Sequence, residues 1–303
     1  MKIVVTGGLG FIGHNLCSIL TGQGHDVIAV DDLRFVTEDL YRKRTVAGTY
    51  KWLVTADCTR HDFNPEHAAD ADVVIHLACH PNQSAFDNAG LKTAWSNTTV
   101  STSVVHRWAI KQRAKFIYVS SSMVYGNWQG RVAETAELAP VNDYGRAKMF
   151  CELAVQEAAH DWVIIRPTAV YGPGDNPNRL ITKWINLARS GQDLYVSDAD
   201  ESLDFTHVYD LCRGISHIIQ SGVTQQIYNI SHGASEKLLT AAELIVKLTN
   251  SGSNIIVGKG NAHNMPSRDS MDISKAEKEL YYRSSWDLPN GLKDVIETYD
   301  KFL

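Results

Sequence analysis

The sequence predicts an α/β fold: a doubly wound parallel sheet of about seven strands with a smaller C-terminal α/β part. Three observations predict it. Short β-branched runs alternate with helical patterns as far as about residue 175. A glycine-rich turn joins the first run to the first helix, and beyond Asn176 the alternation gives way to shorter, mixed elements.

Ile3, Val4 and Val5 read as a buried strand, and Gly7, Gly10 and Gly13 follow at once. Phe11, Ile12, Leu16, Ile19 and Leu20 then recur at helical spacing, so the glycines join a strand to a helix. In that context glycine lets backbone N–H groups approach a pyrophosphate, which the positive end of the helix favours. Gly13 would let the helix lie close on the strand. A merely tight turn needs the same glycines; the strand and helix on either side separate the two readings.

The second strand, His25 to Val30, ends in Asp31 and Asp32. Asp31 stands close to the roughly 20 residues after the glycines at which a carboxylate takes the ribose hydroxyls of a dinucleotide. A carboxylate there repels a 2′-phosphate, which points to NAD rather than NADP, while the nearby Arg34 pulls the other way.

The chain has 303 residues, 44% of them hydrophobic and 21% charged, room for one large domain or two small ones. A net charge of −5 with no Lys/Arg block argues against a nucleic-acid partner. No apolar run approaches the ~20 residues of a membrane span, and the first strand starts at once, leaving no room for a signal peptide. A cytoplasmic protein is expected. The five cysteines include no CxxC pair, and no HExxH or comparable cluster occurs, so neither a disulfide framework nor a metal site is expected.

Leu33 to Thr49 is charged and poorly periodic, a loop with a short helix. Trp52 to Thr55 is the third strand, closing with Ala56, Asp57 and Cys58, where a carboxylate can bond an adenine amino group or simply hold a turn. Asp72 to Leu77 is the fourth, and it runs into Ala78, Cys79, His80 and Pro81, small residues suited to a crevice at a strand's carboxyl end. Leu91 to Ala109 reads as a helix in which Asn97 is polar among apolar neighbours, either a backbone partner or part of the site. Lys115 to Val119 is the fifth strand and delivers Ser120, Ser121, Ser122 and Met123, a place to hold a substrate hydroxyl or a capping sequence.

Next comes a helix with Asn142 or Asp143 as its N-cap, running to about His160. Tyr144 and Lys148 share one of its faces, a turn apart. A phenol near its reference pKa of about 10 is a poor base at neutral pH, and an adjacent ammonium stabilises its anion. Trp162 to Arg166 is the sixth strand, followed by Pro167 and a Pro/Gly-rich exit. Beyond it the pattern predicts a helix from about Asn178 to Ser190, strands at Leu194 to Val196, Phe205 to Val208 and Gln226 to Ser231, a helix from Asp210, and short alternating elements at Thr240 to Thr249, Ile255 to Val257, Ser274 to Leu280 and Leu292 to Phe302.

Taken together, TGGLGFIG at Thr6, VDDL at Val30, Asp57, HLAC at His76, Asn97, SSSMVYG at Ser120, YGRAK at Tyr144, RPTAVYGPG at Arg166, DFTHVYDL at Asp204 and DISKAEKEL at Asp272 resemble the extended short-chain dehydrogenase/reductase family, in its sugar-nucleotide epimerase and dehydratase branch. The resemblance implies a seven-stranded Rossmann-type sheet with tightly bound NAD over residues 1–175 and 204–232. It implies a sugar-nucleotide part over 176–203 and 233–303, and a dimer formed through the helices that contain Asn97 and Tyr144. Tyr144 would be the general base, Lys148 would hold the nicotinamide ribose and lower the tyrosine pKa, and Ser121, counted back from Val124-Tyr125-Gly126, would share the substrate hydroxyl. The cofactor would lie against Gly7, Gly10, Phe11, Ile12, Gly13, Asp31, Asp32, Asp57, Cys58, Leu77, Ala78, Cys79, Asn97, Tyr144, Lys148 and Pro167. The substrate would meet Ser121, Ser122, Met123, Tyr144 and Arg268, the last where the family often places a diphosphate-binding arginine.

The chain departs from the pattern in three places. Family 4,6-dehydratases carry an Asp-Glu pair where Ser122 and Met123 stand here; without those acids a hydroxyl is not readily protonated and expelled. Leu203 replaces a usual arginine and Tyr209 a common aspartate. The expected activity is therefore epimerisation of a nucleoside-diphosphate sugar, at C4 through a transient ketone. A reductase or dehydrogenase that exchanges its cofactor, and a non-catalytic NAD-binding scaffold, are the alternatives.

Overall fold

The computed structural model describes residues 1–45, 50–79, 91–258 and 268–302. The predicted positions His80 and Pro81, and residues 46–49 of the charged segment, lie outside them. In chain order the elements begin with β1 (Lys2–Thr6), α1 (Phe11–Gly22), β2 (Asp26–Asp31), α2 (Glu38–Thr45), β3 (Trp52–Thr55) and β4 (Val73–His76). Then come α3 (Leu91–Trp95), α4 (Ser101–Gln112), β5 (Lys115–Val119), α5 (Asp143–Gln156), β6 (Trp162–Pro167), α6 (Leu180–Arg189), β7 (Leu194–Val196), β8 (Ser202–Leu203) and α7 (Val208–Ser221). The chain closes with β9 (Gln226–Ile230), β10 (Glu236–Lys237), α8 (Leu238–Leu248), β11 (Ile255–Val257), α9 (Ser274–Leu280) and α10 (Leu288–Phe302).

Seven strands pair in the order β3-β2-β1-β4-β5-β6-β9, all in parallel. The order reverses between β1 and β4, and such a reversal opens a crevice at the carboxyl ends of the strands. Apolar residues on both faces of each strand are what a sheet covered on both sides requires. Ile3, Val5, Ile75 and Ile117 pack with Leu16 of α1, Ile215 of α7 and Leu280 of α9. Val4, Val74, Phe116 and Ile164 pack on the other side with Trp108 of α4 and Val155 of α5. A separate cluster joins Trp184 of α6, Val196 of β7, Ile245 of α8 and Leu292 of α10. None of the described helices is long and apolar enough to cross a membrane.

Three expectations are corrected. The single helix over Leu91 to Ala109 holds a π-helical turn at Ser96–Val100, where the Thr102 hydroxyl donates to Thr98 O (2.7 Å) and that of Thr99 to Trp95 O (2.8 Å). Hydroxyls bonding back to carbonyls four residues earlier bend a helix and accompany such a widened turn. Phe205 to Val208 forms no strand, only a bridge between Tyr171 and His207; His207 instead caps α7, its ring nitrogen accepting from Tyr209 N at 3.4 Å. The helix expected to reach His160 ends at Gln156, and the His160 ring pairs with Ala114 O at 2.6 Å.

Candidate active site

One wall of the crevice is backbone. A β-carbon at Gly13 would sit 2.0 Å from Gly7 O, so no larger residue lets α1 approach the turn this closely. Gly7 packs against Leu77 and Ala78 at the end of β4. Gly10 caps α1 without a side-chain hydrogen bond, and no acidic residue stands in the first turn. The first-turn N–H groups, of which Phe11 and Ile12 carry two, are thus left for an outside anion. Asp31 accepts from Leu9 N and Leu33 N, both at 3.0 Å, and burial holds its carboxyl above the ordinary range.

The adenosine end expected from the sequence is also gathered here. Arg34 pairs with Asp32 and Asp57, each at 3.3 Å, and reaches Asn97 Oδ1 at 3.4 Å. Its charge is therefore already matched by two carboxylates and is not free for a 2′-phosphate. Asp57 also accepts from Thr59 N and from the Thr59 hydroxyl, at 2.8 and 2.6 Å. The Cys58 side chain is buried in the core beneath the sheet, so only its backbone can face the crevice. Pro167 closes β6, buried and in register with Ile230.

The opposite wall is made of side chains. Asn142 caps α5, its side chain accepting from Gly145 N at 2.8 Å, which settles the choice between Asn142 and Asp143. A β-carbon at Gly145 would lie 2.5 Å from Met123 O, so the start of α5 sits hard against the 3₁₀ turn Ser122–Tyr125. That approach brings Tyr144 beside Ser121. Lys148, 3% exposed, donates to Val119 O at 2.9 Å, and its ammonium stands 5.8 Å from the Tyr144 ring centroid.

Burial pushes the Tyr144 phenol above its ordinary range; the charges of Lys148 and Arg179 and a hydrogen bond with Ser121 draw it back. Burial likewise works against the Lys148 ammonium, but the acidic groups around it, Cys79 and Tyr144 foremost, hold it above its usual value. The arrangement can keep a protonated lysine beside a phenol that gives and takes a proton. Cys79 is partly exposed next to this pair, and Ser122 is fully buried.

Farther along the crevice, Arg268 is buried, and among the described residues no carboxylate comes within ion-pair distance of it. One of its terminal nitrogens lies 3.8 Å from Met123 Sδ, which the Asn142 amide also approaches at 3.9 Å. Burial lowers the Arg268 pKa to about 10. A buried cation of this kind favours an incoming anion. Sequence reasoning missed three charged residues gathered at the β6 exit: Asp175 and Arg179 on it, and Arg44 of α2, which reaches Gly174 O. Arg179 pairs with Asp175 at 3.4 Å and lies over the Phe11 ring at 5.9 Å. Burial raises the Asp175 carboxyl to about 6. The only signal for Asp175 was its place directly after the Pro/Gly run; for Arg44 there was none.

A family model described as NAD dependent epimerase/dehydratase matches residues 3–231. The chain belongs to that family. Its cofactor is NAD, which the uncapped glycine turn and the acidic ends of β2 and β3 fit. Among similar proteins, an uncharacterized UDP-glucose epimerase of Bacillus subtilis is 28% identical, the match covering 98% of this chain and 97% of that one. A dTDP-glucose 4,6-dehydratase of Actinoplanes is 28% identical over 99% of this chain and 98% of its own. The solved UDP-glucuronic acid 4-epimerase of Bacillus cereus, in complex with UDP-glucuronic acid and NAD, superposes with a TM-score of 0.88 at 24% identity, each chain covered in full. At that identity the family member shares the fold.

Proposed function

We propose that this enzyme epimerises a nucleoside-diphosphate sugar at C4 through a 4-keto intermediate. The supporting observation is the wall just described: Ser121, Tyr144 and Lys148 are together, while between Ser121 and Val124 stand only a buried serine and a methionine engaged with Arg268 and Asn142. Elimination of water needs an acid at that place. NAD, when bound, would supply the acceptor and donor of the hydride that the sugar carbon loses and regains. Tyr144 removes the proton of the hydroxyl and gives it back, Ser121 holds the same oxygen, and Lys148 stabilises the phenolate. Arg268 holds the diphosphate.

The sheet with residues 1–175 and 204–232 serves as the cofactor domain, and 176–203 with 233–303 as the substrate domain, although Ile273 and Leu280 rest against the sheet. Incubation with UDP-glucose or UDP-galactose, or another such pair, without added NAD should give interconversion. Net release of NADH across a panel of nucleotide sugars would overturn the epimerase reading in favour of a dehydrogenase.

The reading includes a homodimer through α4 and α5, supported by Ile110, Phe150 and Leu153, which stand 39%, 57% and 51% exposed on these helices. Sedimentation should give a dimer that Phe150→Glu dissociates. It also places the protein in the cytoplasm, where its five unpaired cysteines, four of them buried, stay reduced.

A further inference from the structure

We infer that Arg44 is a positioning residue for the cofactor, its guanidinium tying the glycine-rich turn to the exit of β6 and setting a fixed cation behind the dinucleotide. α2 is a helix without an apolar face. Its residues Glu38, Asp39, Arg42 and Lys43 form surface ion pairs, and the one side chain it buries is Arg44, 7% exposed. That guanidinium donates from one terminal nitrogen to Leu9 O and from the other to Gly174 O, at 2.8 Å. Leu9 lies between Gly7 and Gly10, and its N–H already donates to Asp31 at 3.0 Å. The peptides on both sides of Leu9 are therefore clamped, one by a carboxylate and one by a guanidinium. Gly174 precedes Asp175, which carries Arg179, so the same fork reaches the loop facing the substrate wall.

Burying a cation is unfavourable unless partners of opposite sign or acceptor groups meet it. Among the described residues no carboxylate lies within ion-pair distance of Arg44, and its Nε has no hydrogen-bond partner. Two carbonyls, with Asp31 and Asp175 acting on the guanidinium only from beyond ion-pair distance, repay such a cost poorly if the aim is only to dock α2, which an apolar side chain would do better. The arrangement is favourable when an anion rests on the turn that Arg44 braces. Two carbonyls on different loops also need a planar fork rather than a point charge.

This rests on the reading that the turn cradles NAD, and the test separates the two. NAD affinity and turnover are measured for NAD-stripped wild type, Arg44→Met and Arg44→Lys. The expected result is NAD affinity weakened ~10- to 100-fold in Arg44→Met, the worth of charged hydrogen bonds. Arg44→Lys should recover only part of it, and turnover at saturating NAD should fall much less than affinity. Wild-type affinity in Arg44→Lys, with only the melting temperature lowered, would reduce Arg44 to an anchor for α2 and overturn the inference. Should Arg44→Met not fold, the lysine variant alone decides. A stripped wild type that takes up no NAD would instead remove the reading of the crevice.

Discussion

Along the glycine-rich wall the crevice is lined by main chain from one stretch, Thr6 to Gly13, whereas the facing wall is a set of side chains from Ser121, Met123, Tyr144, Lys148 and Arg268, strung over nearly half the chain. The first wall depends on the absence of side chains: a β-carbon at Gly13 would sit 2.0 Å from Gly7 O. The second depends on which side chains are present and on the helix that aims them. A change in the first wall should therefore be felt as lost folding and lost cofactor, and a change in the second as lost turnover with the cofactor still held.

Tyr144→Phe is the sharpest cut between the walls. It removes only the hydroxyl to which the proposed function assigns proton transfer, and turnover should fall about 10²- to 10⁴-fold while NAD content and melting temperature stay at wild-type values. Equal loss of NAD would erase the contrast. Gly13→Ala attacks the other wall; its methyl meets backbone at Gly7 and Gly8, which cannot yield as a side chain would. Denaturant unfolding should show about 3 kcal/mol of lost stability, with NAD lost as well.

Asp175 lies where the walls meet, and its pH behaviour tests that junction. Its folded pKa, raised to about 6 from 3.8, means that the folded state binds this proton more tightly than the unfolded chain does. The resulting stability is complete below the lower value and is lost as the pH climbs through the upper one, on the order of 3 kcal/mol in all. In Asp175→Asn that decline disappears, so unfolding free energies of variant and wild type should diverge, to the variant's advantage, between these two pH values. The smallest effect is expected for Asn142→Ala, which removes the cap of α5 and should cost about 1 kcal/mol in a thermal melt, with a modest loss of turnover because Tyr144 sits in the uncapped turn.

The glycine turn, the alternating strands and the Tyr144–Lys148 spacing were legible because each is a local pattern: a strand has period 2, a helix 3.6, and a one-turn separation on a helix already implies contact. The π-helical turn in the Asn97 helix was not, since it depends on hydroxyls of Thr99 and Thr102 choosing carbonyl partners. Nor was the His207 cap, whose histidine sits in a run that alternates like a strand.

The order of residues by itself determined the parallel sheet, the glycine turn and the placing of Tyr144 and Lys148 on one helix face, because backbone geometry and burial act over a few residues at a time. Tertiary structure alone decided which charges guard the crevice. Arg44 meets Gly174 across 130 residues, and Arg268 meets Met123 across 145. Only folding brings such pairs within reach, and only burial makes their charges matter, since a guanidinium in water is indifferent to partners that in the interior it must have.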